Sequence, residues 1–419
     1  MRLRRRLTSY RDLLGPFMKA TVPSNPITRM RPSKPVLPQP LFDYHPLTRI
    51  MFGAGTLARL GELARELGAH RPMLVTDPGL EEAGHPQRAL ASLRDTDLEP
   101  VLFDGVEENP TSRIVEIGAE IARRERIDFL IAVGGGSSMD AAKGINFLLT
   151  NGGKMSDYVG FGKATKPMLP SIGVPTTAGT GSEAQSFALI SDEKTHLKMA
   201  CGDRKAAFRA AILDPEVTVS QPRSVTAITG IDALSHALES YVCTRRNPLS
   251  QAFAREAWRA LEQNFDRVLR DPDDLEARGA MQMGANFAGA AIENSMLGAC
   301  HACANPLTSH YGLTHGIAIG ILLPHILRFN NEAVAALYAD LAHDVGLING
   351  DAMAAGEVLA QRMAGFVKTA GLPSRLSECG ISRGILPVLA EEAAQQWTGR
   401  YNPRPVAETE LLQLYEAAY

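Results

Sequence analysis

A strand, a glycine turn and a helix are predicted within one stretch, DFLIAVGGGSSMDAAKG, at residues 128–144. It opens with a continuous apolar run, which is typical of a strand buried on both faces of a parallel sheet. Gly134, Gly135 and Gly136 follow the run directly, and an alanine-rich helical segment follows the glycines. Because glycines remove side chains and a helix N-terminus offers free N–H groups, this unit predicts a binding site for a pyrophosphate. A tight turn without any ligand is the alternative interpretation.

Strands and helices alternate on both sides of this unit. Short apolar runs predict strands, and isoleucines spaced along residues 114–125 predict an amphipathic helix. The alternation favours a mostly parallel sheet covered by helices. From about Ser224 onward, alanine and leucine dominate and the strand signals vanish. Strands are predicted at 49–53, 72–77, 101–105, 128–133 and 212–215, and the later helices at 226–242, 251–269, 274–292, 317–329, 333–345 and 352–370.

Composition and charge exclude several classes of protein. The chain has 45% hydrophobic and 21% charged residues, as ordinary globular proteins do. Its formal net charge of −3 creates no field that would attract nucleic acid or an anionic membrane, and no apolar run approaches the roughly 18 residues that span a bilayer. The five cysteines are few and odd in number, which favours a reducing compartment over a disulfide framework. We therefore expect a cytoplasmic protein with neither a nucleic-acid nor a membrane partner.

Two further stretches are consistent with a bound nucleotide. Asp77 ends the apolar run 72–77, where a carboxylate can bond a ribose 2′-hydroxyl. The same carboxylate would repel a 2′-phosphate, so it favours NAD over NADP, although a simple turn starting at Asp77 is the alternative. In VPTTAGTGSE, at 174–183, hydroxyls and glycines interleave as a nucleotide-binding loop requires, and a plain polar loop is the alternative. The G-x-G-x-x-G fingerprint is absent from the glycine turn.

Four side chains in the second half of the chain predict a metal site. Asp232 and His236 are four residues apart on a predicted helix, so they share one face. Taken alone, an aspartate and a histidine at this spacing more often form a hydrogen bond with each other than bind a metal. His301 and His315 add weight, because a predicted break at Pro306 and a glycine turn between them let the second fold back beside the first. Three imidazoles and one carboxylate suit Fe(II) or Zn(II).

The change of composition near Pro222 divides the chain. A chain of 419 residues exceeds one ordinary core. We expect residues 42–223 to form a dinucleotide-binding α/β domain and residues 224–419 to form an all-helical metal-binding domain. Residues 1–41 contain one acidic residue, Asp12, among many arginines and prolines. We interpret them as a disordered basic tail, with an upstream start codon or a transit peptide as the alternatives.

From about Leu41 to Tyr419 the chain resembles the iron-containing (group III) alcohol dehydrogenases. The resemblance implies a dehydroquinate synthase-like fold with the active site in the cleft between the two domains. It also implies hydride transfer between NAD(H) and a small or medium alcohol, aldehyde or ketone, in a homodimer or higher homo-oligomer. The stretches that carry it are GGGSSMDAAKG at 134–144, PTTAGTGSE at 175–183, GIDALSHALESY at 230–241, GACHACANPLTSHYGLTHG at 298–316, LLPHILRFN at 322–330 and TGRYNPRP at 398–405.

The resemblance also implies the role of individual residues. The metal ligands of the family fall on the four residues chosen above, with Fe2+ expected and Zn2+ as the alternative. The residues that line the substrate end of the site in relatives fall on Phe187, Ile292 and Trp397, an aromatic and fairly apolar wall that favours an aldehyde or alcohol over a sugar. The nucleotide contacts of the family fall on Asp77, Gly135, Gly136, Ser137, Thr176, Thr177 and Lys198.

One position departs from the pattern of the family. Relatives often carry a histidine four residues after the third ligand, and here that position is Asn305. Asparagine cannot exchange protons near pH 7. The proton would therefore travel through water, through the ribose hydroxyls of the cofactor, or through His310, five residues further on. Cys300 and Cys303, and His325 in an apolar helix, are interpreted as packing residues.

Several alternative functions stay open on this fold. One is a maleylacetate-reductase-like enzyme, and another is a hydroxyacid–oxoacid transhydrogenase. A relative of dehydroquinate synthase or glycerol dehydrogenase is disfavoured, because the four ligands and the motifs match the iron group better. An alternative of another class is a non-catalytic nucleotide-binding paralogue, in which Asn305 would mark lost activity.

Overall fold

The computed structural model describes residues 42–195, 197–348 and 352–419. The tail expected at residues 1–41 lies outside the described residues. The strands formed by the described residues are β1 (Arg49–Phe52), β2 (Pro72–Val75), β3 (Val101–Phe103), β4 (Phe129–Gly134), β5 (Gly160–Phe161), β6 (Ser171–Pro175), β7 (Phe187–Ser191), β8 (Lys198–Gly202) and β9 (Ala210–Leu213).

Six of these strands build one sheet in the order β1–β9–β6–β4–β2–β3, and every neighbouring pair is parallel. Its four inner strands are fully buried, as predicted for β4, whereas β6 had not been predicted as a strand. The predicted parallel sheet with alternating helices is therefore confirmed. The helices of this part are α1 (Leu60–Glu66), α2 (His85–Arg94), α3 (Ser112–Arg124) and α4 (Gly136–Asn151).

A second, smaller sheet has the order β5–β8–β7, and no strand was predicted for it. β7 and β8 form an antiparallel hairpin in which Phe187 pairs with Gly202 and Ser191 pairs with Lys198. Burial alternates over the first four residues of both strands, but outward positions such as Leu189 are apolar, so the sequence shows no apolar–polar alternation. The hairpin carries Phe187 and Lys198, two of the residues that the sequence analysis predicts at the site.

The chain from Arg223 onward is helical wherever it is described as regular structure. Its helices pack around a core that includes Trp258, Phe265 and Phe366. No helix among the described residues is long and apolar enough to cross a lipid bilayer. The helices are α5 (Arg223–Val242), α6 (Pro248–Arg270), α7 (Leu275–Glu293), α8 (Ala299–Tyr311), α9 (His315–Asp344), α10 (Ala355–Ala370), α11 (Leu386–Gln395) and α12 (Glu408–Ala418).

The break predicted at Pro306 is wrong, because Pro306 lies buried inside α8. Proline removes one backbone hydrogen bond from a helix, and the packed surroundings of α8 tolerate that loss. The chain reverses instead at Gly312, which ends α8 in the left-handed conformation with φ +60°. The two helices predicted after it are confirmed as the two segments of α9, which meet at a kink with non-helical backbone at Val334.

Helix α7 holds the threonine- and glycine-rich loop 175–183 against the helical part. Gln282 Nε2 donates to the carbonyl of Pro175 at 2.9 Å, and Asn286 Nδ2 donates to Glu183 Oε1 at 2.9 Å. Gly181 lies so close to α7 that a Cβ atom there would lie 2.5 Å from the carbonyl oxygen of Ala285. The loop is therefore fixed on the helical side by side chains and by direct backbone packing.

Candidate active site

A cavity of about 900 Å³ lies between the carboxyl ends of the parallel strands and the helical part. Ligands of open α/β sheets commonly bind at this edge. Loops that follow β2, β4 and β6 line one side of the cavity, and α5, α8 and the start of α9 line the other. Every site residue expected from the sequence lines this cavity except His310.

Three helices bring the expected metal ligands to one point. Asp232 and His236 lie one turn apart on α5, His301 lies on α8, and His315 begins α9. The Nε2 atoms of His236, His301 and His315 lie 3.3, 3.6 and 3.7 Å from Asp232 Oδ1. The three residues Asp232, His236 and His301 each offer a ligand atom within 4.8 Å of the other two.

The donor set of this cluster fits a divalent cation. Asp232 Oδ1 is buried and, among the described residues, accepts no hydrogen bond of adequate geometry although three imidazole nitrogens face it. The Nε2 atoms of His236 and His301 lie 3.1 Å apart. Buried polar atoms without partners are rare in folded proteins. A cation among these atoms would satisfy the carboxylate and the imidazole lone pairs together.

Electrostatics also suits a cation at this point. Burial alone would raise the pKa of Asp232, but the surrounding imidazoles, above all His236, hold it well below its usual range. Burial lowers the pKa of His236, and it lowers the pKa of His315 to about 3. Burial also disfavours charge on His301, but the neighbouring carboxylates of Asp232 and Glu239 outweigh it and raise the pKa of His301 to about 9. The two carboxylates thus favour positive charge here, which a bound cation would supply.

Glu239 is a site residue that the sequence analysis missed. Its Oε2 atom lies 2.5 Å from His301 Nδ1, and its Oε1 atom accepts from the backbone N–H of Cys300 at 2.8 Å. A carboxylate on Nδ1 fixes the imidazole so that Nε2 points to Asp232. The signal was present in the sequence, because Asp232, His236 and Glu239 recur at i, i+4 and i+7 along α5.

The glycine turn after β4 offers free backbone donors to the cavity. Gly135 caps α4 without any side-chain hydrogen bond, so the first N–H groups of the helix stay available. Gly134 has φ +157°, and a Cβ atom there would lie 2.3 Å from Ser138 Oγ, so this position requires glycine. Ser138 Oγ donates to Asp77 Oδ2 at 3.3 Å, which places the Asp77 carboxylate beside the turn. The arrangement can accept a phosphate at the turn and a hydroxyl at Asp77.

Both parts of the chain contribute to the apolar wall of the cavity. Phe187 comes from the β7–β8 hairpin, and Trp397 follows α11. Their rings stack with centroids 6.0 Å apart and an interplanar angle of 23°. Ile292, near the end of α7, lines the same cavity, as does Lys198 on β8. The three wall residues expected from the sequence are therefore brought together.

The structure does not bring His310 to the site. Its Nε2 atom lies 2.8 Å from Glu392 Oε1 in a pair that is more than a third exposed, outside the cavity. Asn305 does line the cavity, and its Nδ2 atom donates to Gln396 Oε1 at 3.0 Å. Gln396 was missed because it lies 91 residues further along the chain, and no spacing in the sequence connects the two.

The cysteines near the cluster take no part in it. Cys300 and Cys303 are buried, and all five cysteines of the chain are free thiols. Burial raises the pKa of the Cys300 and Cys303 thiols well above the usual value. Cys300 Sγ points to the backbone oxygen of Ile319 at 3.8 Å. These features agree with a packing role and not with redox chemistry.

Known proteins match this chain along nearly its whole described length. A family profile described as iron-containing alcohol dehydrogenase matches residues 47–215, and the profile of its C-terminal part matches residues 226–419. Alcohol dehydrogenase 4 of Schizosaccharomyces pombe is 36% identical over 88% of this chain and 87% of its own length. The NAD-dependent methanol dehydrogenase of Bacillus methanolicus is 33% identical over 88% of this chain and 97% of its own.

A solved structure agrees with these matches. The crystal structure of a 1,3-propanediol oxidoreductase superposes with a TM-score of 0.88 at 33% identity, covering 91% of this chain and all of its own. The match extends over both the parallel sheet and the helical part, so it includes the residues that surround the cavity. The chain therefore belongs to the iron-containing alcohol dehydrogenase family and is an NAD-linked alcohol oxidoreductase.

Proposed function

We propose that Asp232, His236, His301 and His315 hold one divalent metal ion and that a substrate oxygen is directed at this cluster. The observation that carries the proposal is the buried Asp232 Oδ1 atom, which faces three imidazole nitrogens without accepting a hydrogen bond among the described residues. A divalent ion there would supply Lewis acidity, which favours loss of the alcohol proton and polarises a carbonyl. Glu239 would act behind the cluster by orienting His301.

The remaining site residues would bind and orient the two reactants. The N–H groups at Gly135, Gly136 and Ser137 would hold the pyrophosphate of the cofactor, which carries the hydride. Thr176, Thr177 and Lys198 would contact the rest of the nucleotide, since all three line the cavity. Phe187, Ile292 and Trp397 would exclude water and hold the carbon chain of the substrate. Holding both reactants in one cavity supplies much of the rate enhancement in such a reaction.

Iron is the metal we propose, with zinc as the alternative outcome. Three imidazole nitrogens and one carboxylate oxygen suit either ion. Membership of the iron-containing family favours Fe2+. The cluster contains no thiolate, because Cys300 and Cys303 remain protonated and buried. A site without sulfur ligands does not select zinc over iron.

We propose NAD as the preferred nucleotide, with NADP disfavoured by charge repulsion. Asp77 lies beside the glycine turn and lines the cavity. A carboxylate at this position accepts a hydrogen bond from a ribose 2′-hydroxyl and repels a 2′-phosphate. A relative that is 33% identical bears the name NAD-dependent methanol dehydrogenase.

The substrate we propose is a small or medium alcohol in one direction and the matching aldehyde or ketone in the other. The aromatic wall of Phe187 and Trp397 favours such a molecule over a sugar. Relatives carry the names methanol, 1,3-propanediol and choline dehydrogenase, so the family accommodates different short alcohols. A maleylacetate-reductase-like or transhydrogenase reaction is the alternative outcome.

We further propose a cytoplasmic homodimer. The five free cysteines fit a reducing compartment. The strand β1 pairs with β9 on one side and forms one edge of the six-stranded sheet. On β1, Ile50 is 39% exposed and Phe52 is 48% exposed, and exposed apolar side chains that lie together often mark an interface. A second copy of the chain pairing along β1 would cover them.

Elemental analysis of the purified protein, combined with NADH and NADPH oxidation assays over aldehydes and ketones, tests the proposal. We expect bound divalent iron, a preference for NADH, and loss of both metal and turnover in His315→Ala. His343→Ala, which changes an exposed histidine at the other end of α9, is the matched control and should keep both. Wild-type NADH oxidation by a metal-free His315→Ala protein would contradict the proposal. Hydride exchange without release of NADH would instead support a transhydrogenase.

A further inference from the structure

We infer that Asn305 and Gln396 form a specificity site for a second hydroxyl group on the substrate, so that the enzyme prefers diols to simple alcohols. The inference rests on the proposed function, because it places the reacting oxygen at the Asp232–His236–His301–His315 cluster. It assigns a role to the position where the family pattern predicted a histidine. It also assigns a role to Gln396, which no motif in the sequence had identified.

The position of Asn305 relative to the cluster supports this role. Asn305 follows His301 by four residues on α8, so the two side chains share one face of the helix. The displacement along the helix axis is about 6 Å, four residues at about 1.5 Å each. Both side chains line the same cavity. A substrate whose oxygen is directed at His301 and the other ligands would therefore extend past Asn305.

The surroundings of the amide pair make it a distinctive feature of the cavity. Trp397 follows Gln396 directly and stacks on Phe187, so the pair adjoins the aromatic wall, while polar side chains such as Gln185 line other parts of the cavity. Asn305 Nδ2 donates to Gln396 Oε1 at 3.0 Å, so each amide holds the other in place. In an apolar pocket, a few fixed polar groups decide how a ligand is oriented and which ligands are rejected.

The hydrogen-bonding capacity left on the pair matches a hydroxyl. Their mutual bond uses a donor of Asn305 and the acceptor of Gln396, which leaves the Asn305 carbonyl oxygen and the Gln396 NH2 group without a side-chain partner among the described residues. A hydroxyl both donates and accepts, so it satisfies both groups. An ether oxygen only accepts, an alkyl group does neither, and a carboxylate cannot donate. Turning both amides around leaves the same combination of one acceptor and one donor.

Both amide groups are neutral, so the site discriminates by hydrogen bonding and shape and not by charge. A pocket built to bond a hydroxyl rejects the analogue that lacks it, because its own polar groups then lose their partner. The free-energy penalty for an alcohol without the second hydroxyl is smaller here, because Asn305 and Gln396 are only partly buried and water can reach them. We therefore expect discrimination of about tenfold, which corresponds to one or two net hydrogen bonds.

Steady-state kinetics with three alcohols test the inference on the purified, metal-containing enzyme. The probes are 1,3-propanediol, 1-propanol and 3-methoxy-1-propanol, which present a hydroxyl, no polar group and an acceptor alone. We expect kcat/KM for the diol to exceed that for 1-propanol by about tenfold. The methoxy compound should gain little over 1-propanol.

Two variants locate the discrimination on the amide pair. Asn305→Leu and Gln396→Met, which remove the polar groups at nearly constant size, should each lower kcat/KM for the diol by about tenfold and leave that for 1-propanol within about threefold. The double variant should lose little more than either single one, because the two side chains act as a unit. Ser309→Ala, at an exposed position on the same helix, is the control and should change none of the values.

The outcomes separate this inference from the proposed function. If the wild-type enzyme turns over the alcohols but does not prefer the diol, the inference is wrong and the proposed function stands. Equal losses for all three alcohols in both Asn305→Leu and Gln396→Met would also overturn the inference, because they would indicate a general structural role. If the wild-type enzyme turns over none of the alcohols, the proposed function itself fails. The comparison of alcohols on the wild type needs no variant, so a misfolded variant cannot hide the answer.

Discussion

Asp232 is the residue on which the proposed metal site depends most. One of its carboxylate oxygens faces imidazoles from three separate helices, all within 3.7 Å. A cluster of this kind is costly without a cation, because buried charges and polar atoms need partners. The folding of α5, α8 and α9 therefore brings together four proposed ligands that are far apart in the sequence.

Glu239 permits a test of how the cluster is oriented. Glu239→Gln removes the negative charge beside His301 Nδ1 and leaves the four proposed ligands in place. We expect metal affinity to fall by about 10- to 100-fold, as it does when a carboxylate behind a metal-bound histidine is lost. Competition with a fluorescent chelator measures the change. Glu276→Gln, at a side chain that is 84% exposed, is the control, and equal affinities in the two variants would refute the role of Glu239.

Asp77 permits a test of nucleotide choice. Asp77→Ala removes the carboxylate that would repel a 2′-phosphate and accept from a 2′-hydroxyl. We expect the ratio of kcat/KM for NADP+ to that for NAD+ to rise by about tenfold or more, because a like-charge contact is removed. Asp104→Ala, at an exposed carboxylate that follows β3, should leave the ratio unchanged. An unchanged ratio in Asp77→Ala would place the discrimination elsewhere.

Side-chain chemistry in the sequence predicted which residues would cluster, but not what supports them. Carboxylates and imidazoles bind divalent metals, so the sequence predicted four ligands: Asp232, His236, His301 and His315. Their side chains lie close together in the structure. Glu239 lies on the same helical face, so its pattern was readable but its contact with His301 was not. Gln396 meets Asn305 only through tertiary packing, which leaves no trace in local spacing.

Among the structural elements, the loop 175–183 is held by hydrogen bonds from both α4 and α7. Lys143 on α4 is buried and donates from Nζ to the backbone oxygens of Ser182 and Phe187, at 2.7 and 2.8 Å. Ser182 Oγ in turn donates to Asp140 Oδ1 at 2.6 Å. The helix that begins at the glycine turn thus also fixes the loop and the start of β7. The same helix therefore links the nucleotide side of the cavity to its aromatic wall.

The close packing of this loop on α7 can be measured. Gly181→Ala places a Cβ atom 2.5 Å from the backbone oxygen of Ala285, at a residue with φ +60°. Gly380→Ala is the matched control, because φ is +72° there and nothing lies within 4 Å of the added atom. We expect the control to lose about 1 kcal/mol through its backbone conformation, and Gly181→Ala to lose about 2 kcal/mol more through the clash. Urea unfolding measures both, and equal losses would contradict the packing described.

The secondary structure was predictable where hydrophobic residues form continuous runs or recur with a helical period. The parallel strands and most of the long helices follow from apolar runs and helical spacing. α8 was read as broken because Pro306 usually ends a helix, and only its buried surroundings keep it intact. The hairpin β7–β8 was missed because outward positions such as Leu189 are apolar, which hides the alternation of burial in the sequence. Helices α11 and α12 are short and have little periodic signal.

At the scale of the whole molecule, β1 and β3 form the two edges of the parallel sheet, and we propose that only β1 lies at a dimer interface. Ile50→Lys places a charge on the exposed face of β1, where we propose that a second copy binds. We expect the dissociation constant of the dimer to rise by about tenfold. Leu102→Lys on β3, at the opposite edge, is the control, since its exposure of 37% is close to the 39% of Ile50. Sedimentation velocity over a range of concentrations distinguishes them. An unaffected dimer in Ile50→Lys, or an equal effect in both variants, would argue against β1 as the interface.

Both parts of the chain line the cavity between the sheet and the helices, and we propose that Asp232, His236, His301 and His315 bind one metal ion there. The most direct test is to strip the purified protein with a chelator and titrate Fe2+ back while measuring bound iron and NADH oxidation with an aldehyde. We predict that the wild type regains full activity at one bound ion per chain, and that Asp232→Asn regains neither iron nor activity. Full activity of the stripped wild-type protein, or normal iron binding by Asp232→Asn, would contradict the account.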